Sequence, residues 1–337
     1  MSSSPGFGGW LKLYALDLLS MLAMGMVGLG VYFADPAPTR SFAVDFSDGE
    51  IIYPQFAYPL RNEIIPIWAA AMIAFFVPFV VFCIVQIRVR SFEDFNCAVF
   101  GVLYSLINAA VFQVFIKWLI GGLRPHFLTV CAPVIPEGIV GNGFQSIYFT
   151  RSICTGDAKE INDSLESMPS GHSTAAWAGL LFLSLYLNGH LKIFADTRSQ
   201  FWKMIVFFAP LLGAFLITGA LTIDEYHNWL YDCLAGAIIG SCSAIASYRL
   251  SYASIWDFRF NHVPLPRDTK SVGRFPYTLE SANAGNFSHF AGAWRDGAPV
   301  KGAPGDAVQG GGLGGGVNGT FGAGQSHHHH QQGAPVV

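Results

Sequence analysis

Long apolar runs separated by short polar connections organise the first three-quarters of the chain. Six runs stand out: Trp10 to Phe33, Ile65 to Ile87, Asn96 to about Leu123, the junction at Ser170-Gly171-His172 to near Asn188-Gly189, Phe201 to Leu221, and about Trp229 to Tyr248. Each approaches the roughly 20 residues that carry a helix across a bilayer. None shows the strict alternation of a membrane-spanning strand, and lipid admits only helices or closed barrels. The pattern predicts an all-α, six-transmembrane-helix bundle over residues 1–250. From about Ser251 the composition turns to Gly, Ala and Pro, with low-complexity tracts at Gly310 to Gly316 and His327 to His330. That stretch, 251–337, predicts a mostly disordered cytosolic tail.

Composition agrees with the membrane class. Of 337 residues, 52% are hydrophobic and 12% charged, about half the charge fraction of soluble domains. A net charge of -3 without a basic cluster argues against a nucleic-acid partner. Six spans put both termini on one side. Lys12, Arg88, Arg90, Lys192, Arg198, Lys203 and Arg249 gather there, so the positive-inside rule makes that side cytosolic. The connections after runs one, three and five then face the lumen or exterior. The six cysteines lack metal-ligand spacing. Cys131 and Cys154 share one of the outer connections, where an oxidising lumen allows them to pair and a reducing one leaves them as thiols.

Three polar groups sit at the outer ends of these runs. The first is Lys117 through Arg124-Pro125. The two cations are seven positions apart, close to two helical turns, which predicts that both lie on one helix face. Arg suits a bidentate grip on phosphate oxygens and Lys adds a point charge. The second is Met168-Pro169-Ser170-Gly171-His172. It reads as a helix N-terminus capped by Ser170, with backbone N–H groups aimed at an anion and His172 in the first turn. The third is Asp224-Glu225-Tyr226-His227-Asn228-Trp229-Leu230-Tyr231-Asp232. His227 is the candidate nucleophile, oriented by a carboxylate such as Asp232. Ordinary snorkelling, a chance cap histidine and an interfacial aromatic belt are the plain alternatives for the three groups.

With these motifs placed, the chain resembles the type 2 phosphatidic acid phosphatase superfamily in its lipid phosphate phosphatase branch, diacylglycerol pyrophosphate phosphatases included. Lys117 to Pro125 matches that family's Lys-x6-Arg-Pro, and Pro169 to His172 matches its Pro-Ser-Gly-His. The resemblance implies a magnesium-independent phosphatase with no cofactor and no metal site, acting on phospholipid substrates in the membrane. It implies that Lys117, Arg124, Ser170 and Gly171 bind phosphate. His172 protonates the leaving alcohol, and His227 attacks phosphorus to form a phosphohistidine. It also implies an extracytosolic active site in an endomembrane or the plasma membrane. The family's third motif, Ser-Arg-x5-His-x3-Asp, is altered: Ala220 and Leu221 take the Ser-Arg places, and Asp232 follows His227 at x4 rather than x3. A bulge or an irregular start to the sixth span would restore that contact, and Asp224 or Glu225 are alternative orienting acids. A lipid-phosphate binder without turnover is the competing expectation. Oligomeric state is not legible.

Overall fold

The computed structural model describes residues 6–34, 41–44, 50–224 and 229–265, with side chains of 223–230 excepted. The fold is mostly helical. Six long helices correspond to the six runs: α1 (Phe7–Tyr32), α2 (Ile67–Val89), α3 (Phe92–Leu119), α6 (Gly171–Leu191), α7 (Phe201–Asp224) and α8 (Leu234–Ser251). Two short helices, α4 (Phe127–Cys131) and α5 (Ala158–Ser164), and the strands β1 (Phe42–Ala43) and β2 (Tyr148–Phe149) lie in the connections. Local chemistry sets several ends. Pro66 stands at the N-cap of α2, where a missing N–H costs nothing. The Ser91 hydroxyl caps α3 by accepting from the Asp94 amide. Asp157 caps α5 through the amides of Lys159 and Glu160.

Five of the described helices are long and apolar enough to cross a membrane, namely α1, α2, α3, α7 and the stretch Tyr231–Ser251. The protein is therefore multi-pass. The expectation of six apolar spans is met only in part, because α6 is not among the five. The reason lies in its position. Fifteen of its 21 residues are buried, and it packs against α8, α7, α2 and α3. A helix that meets protein on most sides does not need lipid-compatible side chains all round. The outer helices do, and α1 turns Leu16, Leu19, Leu22 and Met26 outward.

Small residues bring α6 close to its neighbours, as is common where helices meet in lipid. A Cβ on Gly179 would lie 2.0 Å from the Ala74 carbonyl oxygen of α2, and one on Gly240 of α8 would lie 2.4 Å from the Thr174 carbonyl oxygen. Neither neighbour is a movable side-chain tip. Gly179→Ala is expected to force α6 and α2 apart and cost about 1–3 kcal/mol, read as a lower melting temperature in detergent.

The end of α6 opposite its first turn is locked by a buried polar cluster. Asp94 of α3, only 3% exposed, accepts from Gln86, Tyr186, Tyr252 and His190. The other His190 nitrogen faces the Tyr186 carbonyl at 3.0 Å. Beyond α8 the chain folds back: Ala253 donates to the Val263 carbonyl and Leu265 to that of Ser251. Tyr252, Ala253 and Asn261 are buried there, and Lys192 Nζ meets the Phe258 carbonyl, Asn261 and His262. Folded structure thus extends past the expected boundary at residue 250, because these side chains have a place to bury. The low-complexity tract from residue 266 lies outside the described residues.

At the first-turn end of α6, the connections form a small cap. β1 and β2 pair antiparallel, Phe42 opposite Phe149. Phe42, Phe127, Leu128, Ile153, Ile161 and Leu165 make its core. Cys131 and Cys154 are joined as a disulfide across 23 residues, which settles the pairing that the sequence left open.

Candidate active site

The site begins where α3 stops. Gly121 and Gly122 adopt positive φ, 55° and 122°, values that glycine reaches without a Cβ penalty. They turn the chain so that the Met168 amide donates to the Gly121 carbonyl and the Ser167 amide to that of Gly122. The expected continuous helix to about Leu123 is therefore corrected: α3 ends at Leu119. Lys117 is in its last turn, whereas Arg124 lies beyond the helix, held by its amide on the Ser164 carbonyl at 2.8 Å. The two cations share a pocket by a glycine turn, not by helical periodicity.

Both line a cavity of about 110 Å³ with Ser170, Gly171 and His172. That is roughly four water volumes, the scale of a phosphate group. Ser170 is the N-cap of α6 and accepts from the Ser173 amide. Its own amide donates to the Asp232 carbonyl at 3.0 Å, so this N–H, expected in the cradle, is spent on the turn that precedes α8. The amides of Gly171 and His172 stand at the positive end of the helix. His172 Nε2 is 2.7 Å from the Ile65 carbonyl oxygen.

The pocket also holds acids that the sequence motifs did not single out. Glu63, Asp163 and Glu166 line it. Arg124 pairs with Asp163 at 3.0 Å, Lys117 stands 3.9 Å from Glu166, and His172 Nε2 stands 4.0 Å from Glu63. Gln113 lines the wall and donates to the Pro169 carbonyl at 3.2 Å. Its place four residues before Lys117, on the same face of α3, was the available signal. The acids gave no such signal, since they come from connections whose folding is set by distant pairings.

The third group reaches the site from the turn that precedes α8. Trp229–Cys233 forms a π turn, an irregular start to the sixth span of the kind that was one of the alternatives for the altered His227–Asp232 spacing. Asp232 is 6% exposed and accepts from Ser167, a pocket residue, at 2.7 Å. The Ser173 hydroxyl donates to the Cys233 carbonyl at 2.8 Å. Asp232 is thus brought against the start of α6. His227 lies outside the described residues, and so do the side chains of Asp224 and Glu225. Leu221, in the place of the family's arginine, is 3% exposed. Among the described residues no side chain of α7 lines the pocket.

Comparison with known proteins decides the family. The PAP2 superfamily model matches residues 98–256. A PA-phosphatase related-family protein of Dictyostelium discoideum is 34% identical over 257 residues, covering 75% of this chain and 74% of that one. The chain belongs to the PAP2 superfamily. This PAP2 protein is also similar to lipid phosphate phosphatase 2 of Arabidopsis thaliana, 36% identical over 59% of this chain and 66% of the relative. Diacylglycerol pyrophosphate phosphatase 1 of Saccharomyces cerevisiae is 34% identical over 49% and 53%. No solved structure matches this chain. The PAP2 match begins in α3 and ends beyond α8, so it takes in Lys117, Arg124, Ser170 to His172 and Asp232.

Proposed function

We propose that this PAP2 protein is an integral-membrane lipid phosphate phosphatase acting on phosphatidic acid, diacylglycerol pyrophosphate or both. One observation carries the reading: Lys117, Arg124 and the first turn of α6 with His172, 48 residues beyond Arg124, line a single phosphate-sized pocket. Lys117 and Arg124 bind the phosphate oxygens with the helix end at Ser170 and Gly171. His227 attacks phosphorus, Asp232 orients it, and His172 protonates the departing alcohol. Magnesium takes no part in this scheme, as the resemblance to the family implies.

In the membrane all six long helices cross. The 21 residues of α6 rise about 31 Å, close to the hydrocarbon thickness. The termini and the tail are cytosolic and the pocket faces the lumen or exterior of an endomembrane or the plasma membrane. The Cys131–Cys154 disulfide in the cap beside the pocket supports an oxidising side.

The test is phosphate release from phosphatidic acid by purified protein in detergent with EDTA. Release that disappears in His172→Ala and His227→Ala is expected. An inactive wild-type protein contradicts the proposal. A second reading, binding without turnover, is favoured by the buried Leu221 where a third phosphate-gripping arginine is expected. It predicts saturable binding of phosphatidic acid with no phosphate released.

A further inference from the structure

We infer that the protein has a lipid site apart from the phosphate pocket, in the half of the bundle that holds the start of α1. It takes a neutral lipid alcohol, a membrane lipid whose head is a hydroxyl without phosphate. The inference is independent of the phosphatase reading.

The site is a cavity of about 690 Å³ between α1, α3 and α8, inside the roughly 300–1,000 Å³ range of small-ligand pockets. It follows from how α1 is held. The helix packs against α3 and is fastened there in two places. Near its start Trp10 Nε1 donates to Asn96 at 3.1 Å, and the Tyr14 and Phe100 ring centroids are 4.7 Å apart. Toward its other end Gly28 lies so close to α3 that a Cβ would stand 3.3 Å from Val111 Cγ2. Gly101 of α3 lets α8 approach as well, since a Cβ there would stand 2.7 Å from Ser251 Oγ. The gap left between α1 and α8, over α3, is the cavity. The fold-back beyond α8 adds Leu265 to its wall, held by its amide on the Ser251 carbonyl at 2.9 Å.

The occupant comes from the bilayer. All three walls are helices long and apolar enough to cross a membrane, and Ser20 and Met24 of the lining are exposed on α1. The wall is apolar at Met21, Met24, Ile107 and Leu250, and it carries a polar set of Asp17, Ser20, Tyr104, Asn108, Ser247 and Ser251. Asp17 stands ten residues past Phe7, about 15 Å along the helix. An acid at that depth costs free energy and marks function by default. The Tyr104 hydroxyl donates to its carboxylate, and the Asn108 amide donates to the Ser243 hydroxyl at 3.3 Å. The polar set is thus tied into the helices that carry it.

Three features choose the ligand. No Lys, Arg or His is among the described residues of the lining, so a phosphate would meet the Asp17 carboxylate without a cation to offset it. A phospholipid also keeps its charged head at the interface, whereas a lone hydroxyl sinks to the depth of Asp17 at far smaller cost. Finally, the polar set both accepts and donates: the carboxylate accepts, while the serine hydroxyls and the Asn108 amide do either. A hydroxyl uses both kinds of partner, and an ammonium only donates. Sterols and diacylglycerols share this chemistry, a free hydroxyl on an apolar body.

The test places the full-length protein in phosphatidylcholine nanodiscs with two photoreactive probes, a sterol and a diacylglycerol, and maps the labelled peptides. Labelling of α1, α3 or α8 around the cavity by one probe or both is expected, and the probe that labels names the lipid. The unlabelled form of that lipid displaces it, and phosphatidic acid does not. Blocking the probe's hydroxyl as a methyl ether lowers labelling about tenfold or more, the effect of losing a hydrogen bond to a charged group. Asp17→Leu does the same. Ser20→Phe fills the cavity from its exposed side, leaves the Asp17–Tyr104 pair in place, and also abolishes labelling, so the test stands even where Asp17→Leu does not fold. Neither probe labelling these segments, labelling as strong with the methyl ethers or in Ser20→Phe, or displacement by phosphatidic acid overturns the inference.

Discussion

Arg124→Ala is expected to lower kcat/KM for phosphatidic acid by about 10² to 10³, the loss typical of one preorganised donor in a water-excluded site. The residue is 9% exposed, its backbone is pinned to Ser164, and its guanidinium already lies against an acid of the pocket, Asp163. A phosphate entering the cavity replaces that carboxylate with a ligand that fills the guanidinium fork in two places. Charge builds on the equatorial oxygens in the transition state, so the loss falls on kcat as well as on KM. Arg124→Lys is expected to restore little, because an ammonium offers no planar fork. A companion melt separates this from unfolding: the cap core and the disulfide do not depend on the guanidinium, so the melting temperature should hold. An Arg124→Ala protein of undiminished kcat/KM would remove Arg124 from the site.

The largest stability effect is expected at the other end of α6. Asp94→Ala takes the shared acceptor from Gln86 of α2, Tyr186 and His190 of α6, and Tyr252 beyond α8. Breaking a buried pair from one side strands the partner, at about 3–5 kcal/mol. For a folded unit of this size that corresponds to a melting temperature lower by about 6–20 °C. Asp94→Asn keeps the volume but points an amide donor at other donors, and should fall between wild type and alanine. Circular dichroism melts of the three proteins in one detergent make the comparison. An Asp94→Ala protein as stable as the wild type would mean that the cluster does not lock the bundle.

These two residues also mark how far the sequence could be read. Arg124 was legible as chemistry, because Lys-x6-Arg-Pro sets two cations at the outer end of an apolar run, the side that the positive-inside rule leaves poor in them. Its geometry was not, because two glycines at positive φ carry the chain off the helix axis and periodicity does not foresee that turn. Asp94 was not legible at all. Three residues after Ser91 it looks like an ordinary acidic residue in a helix's first turn, and it becomes a buried hub only when residues 92 and 158 positions later land on it. The same long-range folding hides Glu63, Asp163 and Glu166. The helix α6 illustrates a different limit. Hydropathy reports on contact with lipid, so a helix surrounded by protein shows it less, and α6 was read from its apolar run together with its cap and histidine, although it is not among the five apolar spans. The His-x4-Asp spacing at 227–232 left open an irregular start to the sixth span, and a π turn stands at Trp229–Cys233, while His227 lies outside the described residues.

The central claim is that two histidines serve one phosphorus atom, His227 by bonding to it and His172 by moving the proton. Rapid base quenching of the wild-type protein with phosphate-labelled phosphatidic acid, followed by peptide mapping, addresses it directly. The account predicts an acid-labile, base-stable label on His227 that appears before free phosphate and is absent from His227→Ala. Steady release of phosphate with the label on another residue, or with full activity in His227→Ala, would contradict it.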